Sequence, residues 1–232
     1  MSSLAARLHE VRQRISDAAV RSGRRADEVR LLAVGKTFPA SAIAEAYEAG
    51  QIAFGENRVQ EALQKQPELP SEIEWHLIGP LQRNKVRKAV GAFHCLQGID
   101  SLRLAEAVSR VAGEIGHTQR ILLQVHIGGE LSKSGFPQQD LKEQLTQLLA
   151  LPHLSVAGLM TIPPPVEEPE KARPYFAELR ELRDELAEAS GCALAELSMG
   201  MSGDFEAAIA EGATLVRVGS AIFGHRDYPA SS

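Results

Sequence analysis

Lys36 is the residue whose surroundings in this sequence most favour covalent chemistry. It follows a run of apolar and small residues, Leu31–Gly35, which is typical of a strand buried on both faces. An ammonium group at the end of such a strand loses hydration, and this loss favours the free amine that attacks carbonyl carbons. The alternative is a lysine that extends from the rim of a sheet into water. The other six lysines lie in segments of polar, helix-like or loop-like composition.

Two later loops contain the residues of an anion site. Ser198-Met199-Gly200-Met201-Ser202-Gly203-Asp204 follows one apolar run, and Arg217-Val218-Gly219-Ser220 follows the next. Glycines let a backbone approach a ligand closely, serines offer hydroxyl groups, and Ser220 stands at the expected start of a short helix, where an anion is favoured. Ordinary turns capped by serines would have the same composition. Because two adjacent loops share it, we predict a phosphate site.

A nucleophilic lysine opposite a phosphate site fits pyridoxal phosphate (PLP). The aldehyde forms a Schiff base with the amine, and the phosphate anchors the far end of the molecule. An arginine at position 217 that faces the pyridine nitrogen would keep this nitrogen unprotonated and weaken the ring as an electron sink. Such an arginine suits mild chemistry or none. The alternative for Arg217 is a salt bridge to a neighbouring carboxylate such as Glu56.

The elements that would position these residues alternate along the chain. Apolar runs begin near residues 31, 51, 74, 92, 121, 155, 195 and 213, and helix-like segments lie between them. This alternation predicts parallel strands joined by helices. Eight such units indicate an α/β fold, a closed (β/α)8 TIM barrel, with an extra amphipathic helix over residues 3–21. The alternative is an open doubly wound sheet, but its glycine-rich turn motif does not occur here.

The ends of the predicted strands place further residues at the same face. In barrels of this kind, the active site lies at the carboxyl ends of the strands. Asn57 follows the second run, and His76 stands at the end of the third. For His76 we favour a structural hydrogen bond over proton transfer, because no proton that it must move is evident.

Composition narrows the class of protein. The 232 residues carry a net charge of -5, which gives no general attraction to nucleic acid or anionic lipid. No stretch is apolar for long enough to span a membrane and no signal peptide is evident, so we expect a cytoplasmic protein. Cys95 and Cys192 are isolated, and no metal site is indicated. We expect one domain over residues 1–232.

The ordered set of motifs resembles the YggS/PROSC family of pyridoxal phosphate homeostasis proteins, over nearly the whole chain. The motifs are LLAVGKT at 31–37, FGENRVQE at 54–61, WHLIGPLQRNK at 75–85, KSGF at 133–136, GLMTI at 158–162, ELSMGMSGD at 196–204 and RVGSAIFG at 217–224. The resemblance implies a barrel like the N-terminal domain of alanine racemase. It also implies PLP on Lys36, its phosphate at Ser202, Gly219 and Ser220, Arg217 near the pyridine nitrogen, and Asn57 and His76 lining the pocket. The predicted cofactor site therefore comprises Lys36, Asn57, His76, Ser198, Met199, Ser202, Arg217, Gly219 and Ser220.

Within this fold we favour a PLP carrier or buffer without catalytic residues. It would act as a monomer and supply PLP to apo-enzymes. An amino-acid racemase is the alternative, but racemisation needs a second base, and Tyr47, Tyr175 and Tyr228 are not at predicted strand ends. A cofactor-free phosphosugar isomerase would explain the phosphate loops equally well. A further hypothesis is that Lys133 relays the aldehyde outward, the alternative being a solvated loop lysine. Another is that the basic helix with Arg83, Lys85, Arg87 and Lys88 steers PLP or a partner, the alternative being a solvated helix face.

Overall fold

Eight parallel strands close into a barrel in which each strand pairs with its neighbours in sequence and β1 pairs with β8. The computed structural model describes residues 2–128 and 134–224. The strands are β1 (Arg30–Val34), β2 (Ala53–Glu56), β3 (Glu74–Leu77), β4 (Cys95–Ile99), β5 (Gln119–Gln124), β6 (Leu154–Met160), β7 (Glu196–Ser198) and β8 (Leu215–Val218). The predicted TIM barrel is therefore confirmed, and the open doubly wound sheet is excluded.

Helices occupy the connections between the strands. They are α1 (Leu4–Arg21), α2 (Ala40–Glu48), α3 (Val59–Lys65), α4 (Val86–Ala89), α5 (Leu102–Glu114), α6 (Gln138–Ala150), α7 (Arg173–Ser190), α8 (Phe205–Ala210) and α9 (Ser220–Phe223). The predicted helix over 81–90 is shorter, because a 3₁₀ turn over Arg83–Lys85 precedes α4 and Gly91 follows it with a φ of 78°. No helix in the described ranges is long and apolar enough to cross a membrane.

Alternation along the strands separates two layers of core. In β1, Leu32 and Val34 pack in a small cluster with Ala53, Ile78 and Leu215, whereas Ala33 packs in the main core. Successive side chains of a strand point to opposite faces. The small cluster therefore fills the barrel interior, and the main core lies between the barrel and its helices.

The N-terminal helix α1 packs against the end of the barrel sequence. Ser3 caps it by accepting a hydrogen bond from the Ala6 N–H, and its apolar face, which includes Leu8 and Ile15, is buried. The helix contacts α8 and α9, and the Arg7 Nε donates to the Ile222 carbonyl at 2.6 Å. Helix α1 therefore supports the short helix that follows β8.

Candidate functional site

The carboxyl ends of the strands surround a cavity of about 1080 Å³. Six of the predicted site residues line it: Lys36, Asn57, Ser202, Arg217, Gly219 and Ser220. Met201 and Gly203 of the predicted phosphate loop also line it. The sequence reasoning missed other lining residues, namely Val34, Phe38, Ile78, Gly79, Pro80, Gln124, Ser134, Ile162 and Gly224. Several of these lie at or directly after the end of a strand, and this position was the available signal. The cavity lies at the face where barrels of this kind place their active sites.

Lys36 lies two residues after Val34, the last residue of β1, and lines the cavity with a half-buried side chain. The turn around it is tight. Phe38 N–H donates to the Gly35 carbonyl at 3.1 Å, and Thr37 has a φ of 66°, which is unusual for a residue with a branched side chain. A bulkier residue at position 35 would meet Ile43, since an ideal Cβ there lies 2.2 Å from Ile43 Cδ1. The local sequence therefore fixes the direction in which Lys36 leaves the strand.

The buried lysine of this region is Lys65, whereas Lys36 is half-buried. The sequence places Lys65 in a segment of polar, helix-like composition, and the residue does end α3, but only 8% of it is exposed. Its Nζ donates to Glu56 Oε1 at 2.7 Å, to Glu61 Oε1 at 2.8 Å and to the Gly35 carbonyl at 3.1 Å. The spacing of Glu61 and Lys65, four residues apart on α3, was the only sequence signal for this cluster.

The two carboxyl groups of this cluster have pKa values that are shifted in opposite directions. It raises the pKa of Glu56 to about 7, despite the hydrogen bond from Lys65. Burial of Glu61 also opposes its ionisation, but hydrogen bonds from Lys65 and from the Thr37 N–H lower its pKa. Glu56 is thus near its titration midpoint at neutral pH, whereas Glu61 is a stable anion.

The loops after β7 and β8 lie against each other, as a shared anion site would require. Gly219 N–H donates to Ser202 Oγ at 3.2 Å. Gly200 has a φ of 87° and no room for a side chain, since an ideal Cβ would lie 2.6 Å from Ala208 Cβ. Gly203 has open space around it instead. Glycine is therefore needed at 200 to fold the loop, and at 203 it leaves space at the cavity wall.

Arg217 reaches the cavity from inside the barrel. It is 3% exposed, and its guanidinium donates to Ser198 Oγ and to the Thr161 carbonyl, both at 2.7 Å. Burial lowers its pKa to about 10, so the side chain stays charged at neutral pH. The alternative of a salt bridge with Glu56 is wrong, because the Glu56 carboxylate pairs with Lys65.

Three predicted site residues lie beneath the cavity and do not line it: His76, Ser198 and Met199 are buried in the interior or core. Ser198 and His76 belong to a hydrogen-bonded chain that starts at Arg217. Ser198 Oγ donates to Gln97 Oε1 at 2.7 Å, and Gln97 Nε2 lies 2.9 Å from His76 Nδ1. Their residue types and their positions at strand ends predicted that both would line the pocket. Their side chains instead point into the barrel interior, below the cavity.

The donor and acceptor roles in these hydrogen bonds define the tautomer of His76. Because the Gln97 oxygen accepts from Ser198, the Gln97 amide nitrogen donates, and His76 Nδ1 must accept. The His76 proton is then on Nε2, which has no partner among the described residues. Burial lowers the pKa of His76 to about 3. His76 is therefore a neutral acceptor at physiological pH.

At the other end of the barrel, charged residues of alternate strands pair. Arg30 pairs with Glu74 at 2.6 Å, and Arg120 pairs with Glu196 at 2.8 Å. Glu74, His76 and His94 bring their potential ligand atoms within 4.8 Å of one another. The charge of Arg30 on Glu74 opposes a cation at this position.

Two hypotheses from the sequence stay predictions. Lys133 lies outside the described residues. In the basic segment, Arg83, Arg87 and Lys88 are exposed, and Arg87 pairs with Glu114. Its proposed steering role stays a prediction.

Comparison with known proteins agrees with this architecture. A family model described as "Alanine racemase, N-terminal domain" matches residues 7–227. Alanine racemase from Clostridium difficile 630 is 15% identical, with a TM-score of 0.74 over 96% of this chain and 58% of that chain. At this identity the likeness concerns the fold alone.

Closer relatives match over the full length. The pyridoxal phosphate homeostasis protein of Aquifex aeolicus (strain VF5) is 47% identical over 96% of this chain and 98% of its own length. The protein of the same name from Escherichia coli (strain K12) is 44% identical over 98% of this chain and 99% of its own length. The structure of PipY from Synechococcus elongatus PCC7942 with PLP bound is 43% identical, with a TM-score of 0.84 over 96% of this chain and 100% of that chain. The chain therefore belongs to the family of pyridoxal phosphate homeostasis proteins, on the fold of the alanine racemase N-terminal domain.

Proposed function

We propose that this protein binds PLP as a Schiff base on Lys36 and buffers or delivers it in the cytosol, as a monomer and without turnover. The observation that carries the proposal is one cavity at the carboxyl ends of the strands, lined by Lys36, by the charged Arg217 and by the Ser202 and Gly219–Ser220 loops. The names of the relatives and the PLP bound to PipY support the same cofactor.

The residues of the cavity fit the parts of PLP. When bound, PLP supplies an aldehyde and an electron-withdrawing ring. Lys36 would hold the aldehyde carbon, and the loops around Ser202, Gly219 and Ser220 would hold the phosphate through hydroxyl and backbone N–H groups. Asn57 lines the cavity and is able to donate and accept hydrogen bonds at the ring substituents.

Arg217 supports a binding role over a catalytic one. Its guanidinium is charged at neutral pH and is already held by Ser198 and Thr161. A charged donor facing the pyridine nitrogen would disfavour protonation of that nitrogen. An unprotonated ring is a weak electron sink, so deprotonation of a bound amino acid would be slow.

The tyrosines of the described chain also favour a carrier over a racemase. Tyr47 lies on α2 and Tyr175 on α7, where both pack against the hydrophobic core, and neither lines the cavity. Tyr228 lies outside the described residues. A tyrosine that acts as the second base of racemisation must reach the substrate within hydrogen-bonding distance.

Borohydride reduction followed by peptide mass mapping tests the proposal. Reduction traps the aldehyde on the lysine that holds it, and we expect the label on the peptide that contains Lys36. The Lys36→Ala variant should lose the label and the yellow colour, whereas Lys142→Ala, which removes a surface lysine paired with Glu185, should keep both. A label on Lys133 and not on Lys36 would contradict the site. Sustained conversion of L-alanine to D-alanine would contradict the carrier role.

A further inference from the structure

We propose that Glu61 and Lys65 are positioning residues for Lys36, because they hold the two peptide groups on either side of it. This inference rests on the proposed role of Lys36. Lys65 Nζ donates to the Gly35 carbonyl at 3.1 Å, and the Glu61 carboxylate accepts from the Thr37 N–H. The backbone is therefore fixed immediately before and immediately after the reactive residue.

The Lys65 ammonium has no remaining hydrogen-bonding capacity for another role. It has three N–H donors, and they are directed to Gly35, Glu56 and Glu61. A buried charge that loses one partner destabilises its surroundings strongly. The three hydrogen bonds thus connect β1, β2 and α3 at one point behind the turn that contains Lys36.

Thr37 explains why such a clamp is needed. Its φ of 66° lies in the left-handed region, which costs a residue other than glycine on the order of 1 kcal/mol or more. A conformation of this kind persists when its surroundings hold it, and the charged acceptor Glu61 binds its N–H. Without this hydrogen bond, the turn would relax and the direction of the Lys36 side chain would change.

The expected effect concerns the covalent step and leaves binding of the phosphate group unchanged. The anion loops are formed by residues 198–204 and 217–220, which lie outside the cluster. A displacement of about 1 Å at a reacting group costs roughly a hundredfold in rate. Loss of the clamp should therefore slow the attachment of PLP to Lys36 without weakening the binding of a phosphate that cannot react.

The first experiment separates positioning from stability. Lys65→Met alone leaves Glu56 and Glu61 unpaired, so we combine it with Glu56→Gln, which removes the most deeply buried of these charges. In the double variant, we expect the rate of borohydride-trapped PLP on Lys36 to fall about tenfold or more. The affinity for pyridoxine 5′-phosphate, an alcohol that cannot form an imine, should stay within about twofold of wild type. Lys142→Met is the matched control for loss of a surface ion pair.

The second experiment tests Glu61 by conservative rescue. Glu61→Ala deletes the acceptor for the Thr37 N–H and leaves the Glu56–Lys65 pair in place. Glu61→Gln keeps an oxygen acceptor at the same position. We expect slow attachment in the alanine variant and attachment close to wild type in the glutamine variant.

The outcomes are distinct. A folded double variant and a Glu61→Ala variant that both attach PLP at the wild-type rate would overturn the positioning role. Wild-type protein that binds pyridoxine 5′-phosphate but gives no trapped PLP on Lys36 would instead contradict the proposed function. Equal loss of pyridoxine 5′-phosphate binding and of PLP attachment would show general damage to the cavity and would likewise overturn positioning.

Discussion

Glu56 and His76 each keep one buried side-chain atom, Oε2 and Nε2 respectively, without a hydrogen-bond partner among the described residues. Burial disfavours the charged form of either group, but the two charged forms exist at opposite ends of the pH scale. For Glu56 the charged form is the anion, which exists at high pH. For His76 it is the cation, which exists at low pH. The two residues should therefore give pH dependences of opposite sign.

Glu56 should make the fold less stable as pH rises. Its pKa is about 7 in the folded protein, whereas a glutamate side chain in water has a pKa of 4.5, so between these values the folded state binds more protons than the unfolded state. The free energy of unfolding then falls as pH increases from about 4.5 to about 7. We expect Glu56→Gln to reduce this decline in urea unfolding, and Glu72→Gln, at an exposed position, to leave it unchanged. An unaltered pH profile in Glu56→Gln would contradict the assignment.

His76 should act in the acid direction. Its pKa is about 3 in the folded protein, whereas a histidine side chain in water has a pKa of 6.5, so the unfolded state binds more protons in this range. Stability from this residue is complete above about pH 6.5 and is lost as pH falls towards about 3. His76→Asn keeps an acceptor near the Nδ1 position and removes the titration. We expect this variant to lose less stability than wild type between about pH 6.5 and pH 4.5, and an equal loss would show that folding does not lower the pKa of His76.

At the scale of elements, close contacts between strand-end loops determine the shape of the cavity. Gly79 follows β3 and lies against the loop after β2, where an ideal Cβ would lie 2.3 Å from the Asn57 carbonyl oxygen. That contact is with backbone, which cannot move aside as a side chain can. The position of Asn57 at the cavity therefore depends on the absence of a side chain at residue 79.

Gly79→Ala should accordingly damage both the fold and the site. We expect a loss of about 1–3 kcal/mol in the free energy of unfolding, together with weaker binding of pyridoxine 5′-phosphate. Gly203→Ala is the control for stability alone, because nothing lies within 4 Å of an ideal Cβ there. Equal melting temperatures for the two variants would contradict the close contact.

The elements were predictable from sequence because their signals are local. Apolar runs and helical periodicity predicted eight strands and the N-terminal helix, and α1 indeed covers residues 4–21. Lys36 and Arg217 were predictable for the same reason, since each stands at or after the end of a buried strand. The depth of a side chain was not predictable, because it depends on strand tilt and register. This is why His76 and Ser198 lie beneath the cavity and why Lys65 is enclosed.

At the scale of the whole molecule, the two ends of the barrel have different roles. One end surrounds the cavity, and the other is closed by the Arg30–Glu74 and Arg120–Glu196 pairs. These ion pairs are half-exposed, so each contributes about 0–1 kcal/mol. Because these ion pairs contribute little to stability, the shape of the cavity is maintained mainly by packing around the barrel, including the packing of α1 against α9.

Binding at one end should stabilise the complete barrel. A ligand that binds only the folded state, at about 100 times its Kd, adds about 2.7 kcal/mol. For a protein of this size, we expect PLP to raise Tm by about 5–10 °C. The Lys36→Ala variant should retain only a small part of this increase, which differential scanning fluorimetry would measure. An equal increase in both proteins would show that a covalent bond to Lys36 does not contribute to the stabilisation.

Every strand of the described barrel is hydrogen-bonded on both sides, because β1 closes onto β8. A sheet without exposed edges does not recruit further strands from neighbouring molecules, which is a common route to aggregation. Circular closure of the sheet thus removes this route to self-association at any concentration of the protein.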